Sequence, residues 1–132
     1  MKQKDVLGQF EQLVLSAVLA LGKNAYPVPI HEAVARMSAR EVTPGSVYVT
    51  LERLEDKGYL ASRLGDPTPE RGGRPKRYYR MLAAGERVLA EALKTSERML
   101  QNTKPAWRFV KWETEEEQLP LNNTGLNPAT GE

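Results

Sequence analysis

From residue 6 the apolar positions recur with the period of a helix. Phe10, Leu13, Val14, Ala17, Val18 and Leu21 fall on one stripe and Gly22 stops the run, which predicts a helix over 6–22. Leu15 and Leu19 lie off that stripe, so the helix is expected to be covered twice, by its own core and by a second subunit. After the loop "KNAYPVP", Pro29 stands where a helix can begin, and Ile30, Ala33, Val34 and Met37 keep helical spacing to about Ser38. Thr43 followed by Pro44 reads as a cap and a first-turn proline. The helix that follows, "SVYVTLERLEDKG", turns Val47, Leu51 and Leu54 inward and is closed by Gly58.

The period then changes. "YLASRL" and "KRYYRML" are short strand candidates, the second with Tyr79 and Met81 on one face and Tyr78 and Arg80 on the other. Between them, "GDPTPERGGRP" is rich in turn formers. Residues 83–103 return to helical spacing through Val88, Leu89, Ala92, Leu93, Met99 and Leu100, and Pro105 is expected to end that helix. Three short helices, a two-stranded hairpin and a long last helix make a mainly α chain with one small β-hairpin: a winged helix-turn-helix with a long C-terminal helix. The expected divisions are 1–82 for the winged-helix domain, 83–104 for the long C-terminal helix, and 105–132 for an aromatic, then acidic and loosely structured tail.

Charge adds a position to this outline. The net charge is only +2, but Arg71, Arg74, Lys76, Arg77 and Arg80 all lie in residues 71–80, with no acid among them, while 113–132 carries five acids and no base. Gly72 and Gly73 permit a tight hairpin tip that can press close to a polyanion. Arg71, Arg74, Lys76 and Arg77 would then reach phosphates or a minor groove of double-stranded DNA. On the third helix the outward face near its start is expected to hold Ser46, Val49, Thr50 and Arg53, side chains that suit contact with base edges in a major groove.

Other chemistry finds little support. Cysteine is absent, which excludes disulfides and thiolate sites. His31 is alone, no phosphate-cradling glycine loop precedes a helix, and Tyr78 and Tyr79 lack the carboxylate cluster that a metal-assisted nucleophile would need. No enzyme, cofactor or metal is expected. No run is apolar and long enough for a membrane span, and the N-terminus is too polar for a secretory signal, so a cytoplasmic protein is expected. Trp107, Phe109 and Trp112 read as packing against the body or a partner subunit, or as the lining of a site for a small aromatic effector. Leu15, Leu19, Leu93 and Leu100 are the matching candidates for dimer or effector packing. A winged-helix module that binds another protein and no operator is the competing reading, although such a module has no need of the basic tip.

The stretch "GSVYVTLERLEDKGYL" resembles the recognition-helix signature of the PadR family of bacterial transcriptional regulators, through Gly45, Ser46, Val47, Tyr48, Leu51, Leu54, Glu55 and Gly58. "GGRPKRYYRMLAAGERVLAE" is similar to that family's wing and the start of its last helix, so the resemblance covers roughly residues 10–100. It implies a homodimeric DNA-binding repressor in which wing and third helix touch operator DNA. The last helix would mediate dimerisation, often with the first, and some members respond to small aromatic molecules. Two departures stand out: Leu82 occupies the place where the family commonly has a capping Thr, and the C-terminal region is short.

Overall fold

The computed structural model describes residues 6–66 and 74–107. Its elements run α1 (Gln9–Leu21), a 3-10 turn (Gly22–Asn24), α2 (Pro27–Met37), α3 (Pro44–Asp56), β1 (Leu60–Leu64), β2 (Arg77–Met81) and α4 (Ala83–Trp107). The chain divides into two compact units, a body that ends at Ala92 and a second unit that starts at Leu93.

The body is three helices closed on one side by the hairpin. α1 packs against α2, α3 and β2, and α3 packs against β1. The core gathers Val14, Leu15, Val18, Ile30, Val34, Val47, Leu51, Leu54, Leu60, Tyr79 and Leu89. Leu15 is fully buried there. That corrects the expectation that it faces a second subunit or an effector: with neighbours on three sides, α1 buries Val14 and Leu15 alike, and Leu15 belongs to the protomer's own core. Leu19 stays 54% exposed. It lines a concavity of about 640 Å³ with Lys23, Arg63, Arg80 and Met81.

Helix ends are built as the sequence suggests, apart from the start of α1, which lies at Gln9 rather than residue 6, and two further exceptions. Thr43 Oγ1 accepts the Ser46 N–H at 3.2 Å ahead of Pro44, a cap that contributes about 1 kcal/mol. At the other end of α3, Tyr59 N–H donates to the Leu54 carbonyl and Gly58 N–H to that of Glu55, both at 3.0 Å. Gly58 takes φ +84°, the left-handed conformation this closure needs and a side chain resists. The first exception is α2, which begins at Pro27 rather than Pro29, with Tyr26 as its cap residue. The second is α4, which continues through Pro105 to Trp107. Pro105 cannot donate to the Gln101 carbonyl, yet side chains brace this last stretch: Thr103 Oγ1 donates to the Met99 carbonyl at 2.9 Å and accepts Trp107 Nε1–H at 3.0 Å.

The hairpin is antiparallel, with Ser62 opposite Tyr79 and Arg63 opposite Tyr78. Tyr79 turns its N–H away from β1 and donates to the Ala25 carbonyl at 2.8 Å, which ties the wing to the segment before α2. Leu82 N–H donates to the Tyr59 carbonyl at 3.0 Å, and Glu86 N–H to the Leu82 carbonyl at 3.0 Å. So α4 starts without a hydroxyl cap, directly from the sheet end, and buries Gly85 against Tyr59. His31 is half-buried and its Nε2 lies 2.8 Å from the Val42 carbonyl. As the carbonyl can only accept, Nε2 carries the proton and fastens α2 to the turn ahead of α3.

Candidate nucleic-acid interface

α3 sorts its residues by period. Val47, Thr50, Leu51 and Leu54 face the core, whereas Ser46, Val49 and Arg53 are exposed and recur at i, i+3 and i+7 along a solvent-facing side. Thr50 is 4% exposed. It is therefore not on the outward face, and the expectation that it approaches DNA is corrected: its position three residues after Val47 and four before Leu54 belongs to the inward stripe. Val49 is 55% exposed. Ser46 is exposed too, but its hydroxyl donates to the Thr43 carbonyl at 2.8 Å and lies 3.2 Å from Thr43 Oγ1, so it is engaged in the cap.

The base of the wing sits beside this helix. A cavity of about 450 Å³ is lined by Tyr26, Pro27 and Val28 at the start of α2, by Tyr48 of α3, and by Arg74, Pro75, Lys76 and Arg77. The Lys76 ammonium is held 4.7 Å above the Tyr26 ring. Tyr26 in turn meets Tyr78 edge-on at 5.4 Å, and the Arg63 guanidinium lies 5.1 Å from the Tyr78 ring. Each cation–ring contact at an exposed site is worth about 0.5–1 kcal/mol. Together they fix the direction of a lysine that would otherwise sample many rotamers. Arg74 is exposed, and Arg71, Gly72 and Gly73 lie outside the described residues.

Arg77 has a different setting. Its Nη1 donates to Ser62 Oγ at 3.0 Å, and Ser62 Oγ donates to Glu55 Oε2 at 2.8 Å. Burial pushes the Tyr79 phenol above its usual 10.0; Glu55 adds to the rise and Arg77 opposes it. Tyr26 and Glu55 are not marked as site residues by the sequence. Tyr26 is separated from Lys76 by fifty positions, and only the proline-rich "YPVP" marks its neighbourhood as a helix start.

In the second unit Leu93, Met99 and Leu100 are exposed, as is Trp107, whose ring is directed by its bond to Thr103. Trp112 lies outside the described residues. Among the described residues no group of three or more His, Asp or Glu side chains is placed to hold a metal ion, and no helix is long and apolar enough to cross a membrane.

Comparison with known proteins gives this geometry its context. The model of the transcriptional regulator PadR-like family matches residues 15–91, which is more than half of the chain. The chain belongs to the PadR-like family. PadR-like proteins are DNA-binding transcriptional regulators rather than enzymes. Solved structures agree in fold. A PadR family transcription regulator from Clostridium difficile is 20% identical, with a TM-score of 0.61 over 74% of this chain and 97% of that one. A PadR family regulator from Eggerthella lenta is 26% identical, with a TM-score of 0.56 over 72% of this chain and 80% of that one. The likeness extends to ZitR, a zinc-responsive MarR family member from Lactococcus lactis, at 17% identity and a TM-score of 0.58 over 93% of this chain and 74% of that one. No curated protein matches the chain. The winged helix-turn-helix expected of this PadR-like protein is the architecture found.

Proposed function

We propose that this PadR-like regulator is a homodimeric repressor that reads a pseudo-palindromic operator through α3 and the base of the wing. One observation carries the reading: Tyr48 of α3, next in sequence to the exposed Val49, lines a cationic groove together with Arg74, Lys76 and Arg77 of the wing. Val49 offers an apolar surface for a thymine methyl and Arg53 a fork for guanine or phosphate, while Ser46 lies at the helix start. Arg74 and Lys76, with Arg71 and the glycines of the tip, hold the wing to the backbone or minor groove. A two-fold dimer then requires half-sites about 10 bp apart or a multiple of that. Dimerisation is assigned to the exposed apolar side chains Leu93, Met99 and Leu100 of α4, and a small aromatic effector to the tryptophans Trp107 and Trp112, since indole faces stack on planar ligands.

The test is the salt dependence of binding to random and to selected duplexes. Replacing Arg74 and Lys76 together by Ala should weaken both alike and flatten the slope by roughly 1.8, about 0.9 for each phosphate no longer neutralised. An unchanged slope removes the wing from the interface. Absence of binding to any duplex at low salt would favour a protein-interaction module instead.

A further inference from the structure

Within the proposed DNA-facing surface, on whose existence the role of Ser62 rests, the basic residues are not equivalent. The Lys76 ammonium is held against an aromatic ring and Arg74 is exposed. Arg77 is bound back to the protein through the one hydroxyl of β1. A serine hydroxyl has one proton to give and lone pairs to accept with. The Ser62 proton goes to Glu55 Oε2 on α3 at 2.8 Å, and its lone pair takes the Arg77 guanidinium from β2 at 3.0 Å. Both partners are ionised, so both bonds belong to the stronger, charge-assisted kind. Register makes the link possible: Ser62 pairs with Tyr79 and Leu64 with Arg77, so Ser62 and Arg77 are diagonal neighbours on the hairpin face shared with Tyr79. α3 and the wing, two elements that must meet DNA at a fixed mutual angle, are thus joined by a three-residue relay close to the groove.

We infer that Ser62 is a positioning residue for sequence discrimination: its hydroxyl locks the wing to α3 through Glu55 and keeps the Arg77 guanidinium off the phosphate backbone. The consequence is specific. Phosphate contacts carry no sequence information, so an additional free arginine raises affinity for every duplex and lowers the ratio between operator and random DNA. A wing no longer fixed to α3 acts in the same direction, because the helix row loses its fixed register on the base edges.

The experiment uses the full chain, a duplex selected from a random pool by the wild-type protein, and a random duplex of equal length. Ser62→Ala should steepen the salt slope on random duplex by up to about 0.9, the increment of one added phosphate contact. It should also lower the ratio of selected to random affinity roughly three- to tenfold, the scale of one net hydrogen bond. Ser62→Thr keeps the hydroxyl and should restore both values. Ser62→Ala with Arg77→Ala should return the slope to wild type. Glu55→Ala reads the relay from its α3 end and serves if Ser62→Ala no longer melts cooperatively; its effect and that of Ser62→Ala should not add. Slope and ratio unchanged in both Ser62→Ala and Glu55→Ala, with Arg74→Ala and Lys76→Ala still flattening the slope, overturn the relay and leave the interface standing. A slope untouched even by Arg74→Ala and Lys76→Ala removes the interface and the relay with it.

Discussion

Gly85 lies so close to the Tyr59 carbonyl oxygen that a Cβ added at residue 85 would sit 2.3 Å from it. The neighbour is backbone, and the same oxygen accepts the Leu82 N–H at 3.0 Å, so it cannot move aside without breaking the junction between hairpin and α4. Gly85→Ala should therefore destabilise the body by at least the roughly 1–3 kcal/mol typical of overpacking, despite the better helix propensity of alanine. Denaturant melts check this; a neutral or stabilising result would mean that the start of α4 can shift outward freely.

Tyr79 supplies a test in alkali. Its folded pKa lies above 10.0, through burial first and the Glu55 carboxylate second. Below pH 10 both folded and unfolded chains keep this phenol neutral, and its contribution to stability is fully present. As pH rises past 10 the unfolded chain releases the proton first, so stability falls until the folded value is passed. The fall in unfolding midpoint between pH 9 and pH 11 should be shallower in Tyr79→Phe than in wild type. Parallel curves would place the Tyr79 hydroxyl in water.

Thr50 separates residue type from position. From the sequence, a threonine between Val49 and Leu51 looks like one of the polar groups of a DNA-reading face, yet the 3.6 period puts it on the stripe of Val47 and Leu54, and the period wins. Thr50→Val should leave duplex affinity within about twofold of wild type, the effect expected away from the interface. Arg53→Ala should weaken binding to the selected duplex by a base contact worth about 1–3 kcal/mol. Equal losses in the two variants, measured by fluorescence anisotropy, would return Thr50 to the DNA-facing side.

The cases of Thr50 and Leu15 show what periodicity alone can carry. It locates α1, α3 and the hairpin faces because each presents one repeating stripe. It misplaces Leu15 because α1 is covered by α2, α3 and β2 together, so more than one stripe is buried. Pro105 looks like a stop because a missing N–H is visible in sequence, while the Thr103 brace between Met99 and Trp107 depends on side-chain directions that only the folded helix fixes. The Tyr26–Lys76 contact and the Glu55–Ser62–Arg77 relay join elements through tertiary packing, and no local pattern encodes them. The cationic wing is legible, because a run of like charge needs no tertiary information to be recognised.

The proposed self-association through α4 gives the last prediction. Leu93 and Leu100 are seven residues apart, two helical turns, and thus lie on nearly the same side of the helix, with Met99 beside Leu100; all three are exposed. Isolated apolar side chains on a surface are ordinary, but a row of large ones along about 10 Å of helix is the pattern of a helix seam awaiting a second helix. Placing a carboxylate at both leucines, Leu93→Glu with Leu100→Glu, should convert a dimer to monomer in sedimentation equilibrium. The melt of the body should change little, since neither leucine belongs to its core. Operator binding should fall steeply in the monomer and lose its dependence on half-site spacing, because two half-sites are then no longer read by one particle. A variant that stays dimeric at micromolar concentration would move the dimer contact away from this row.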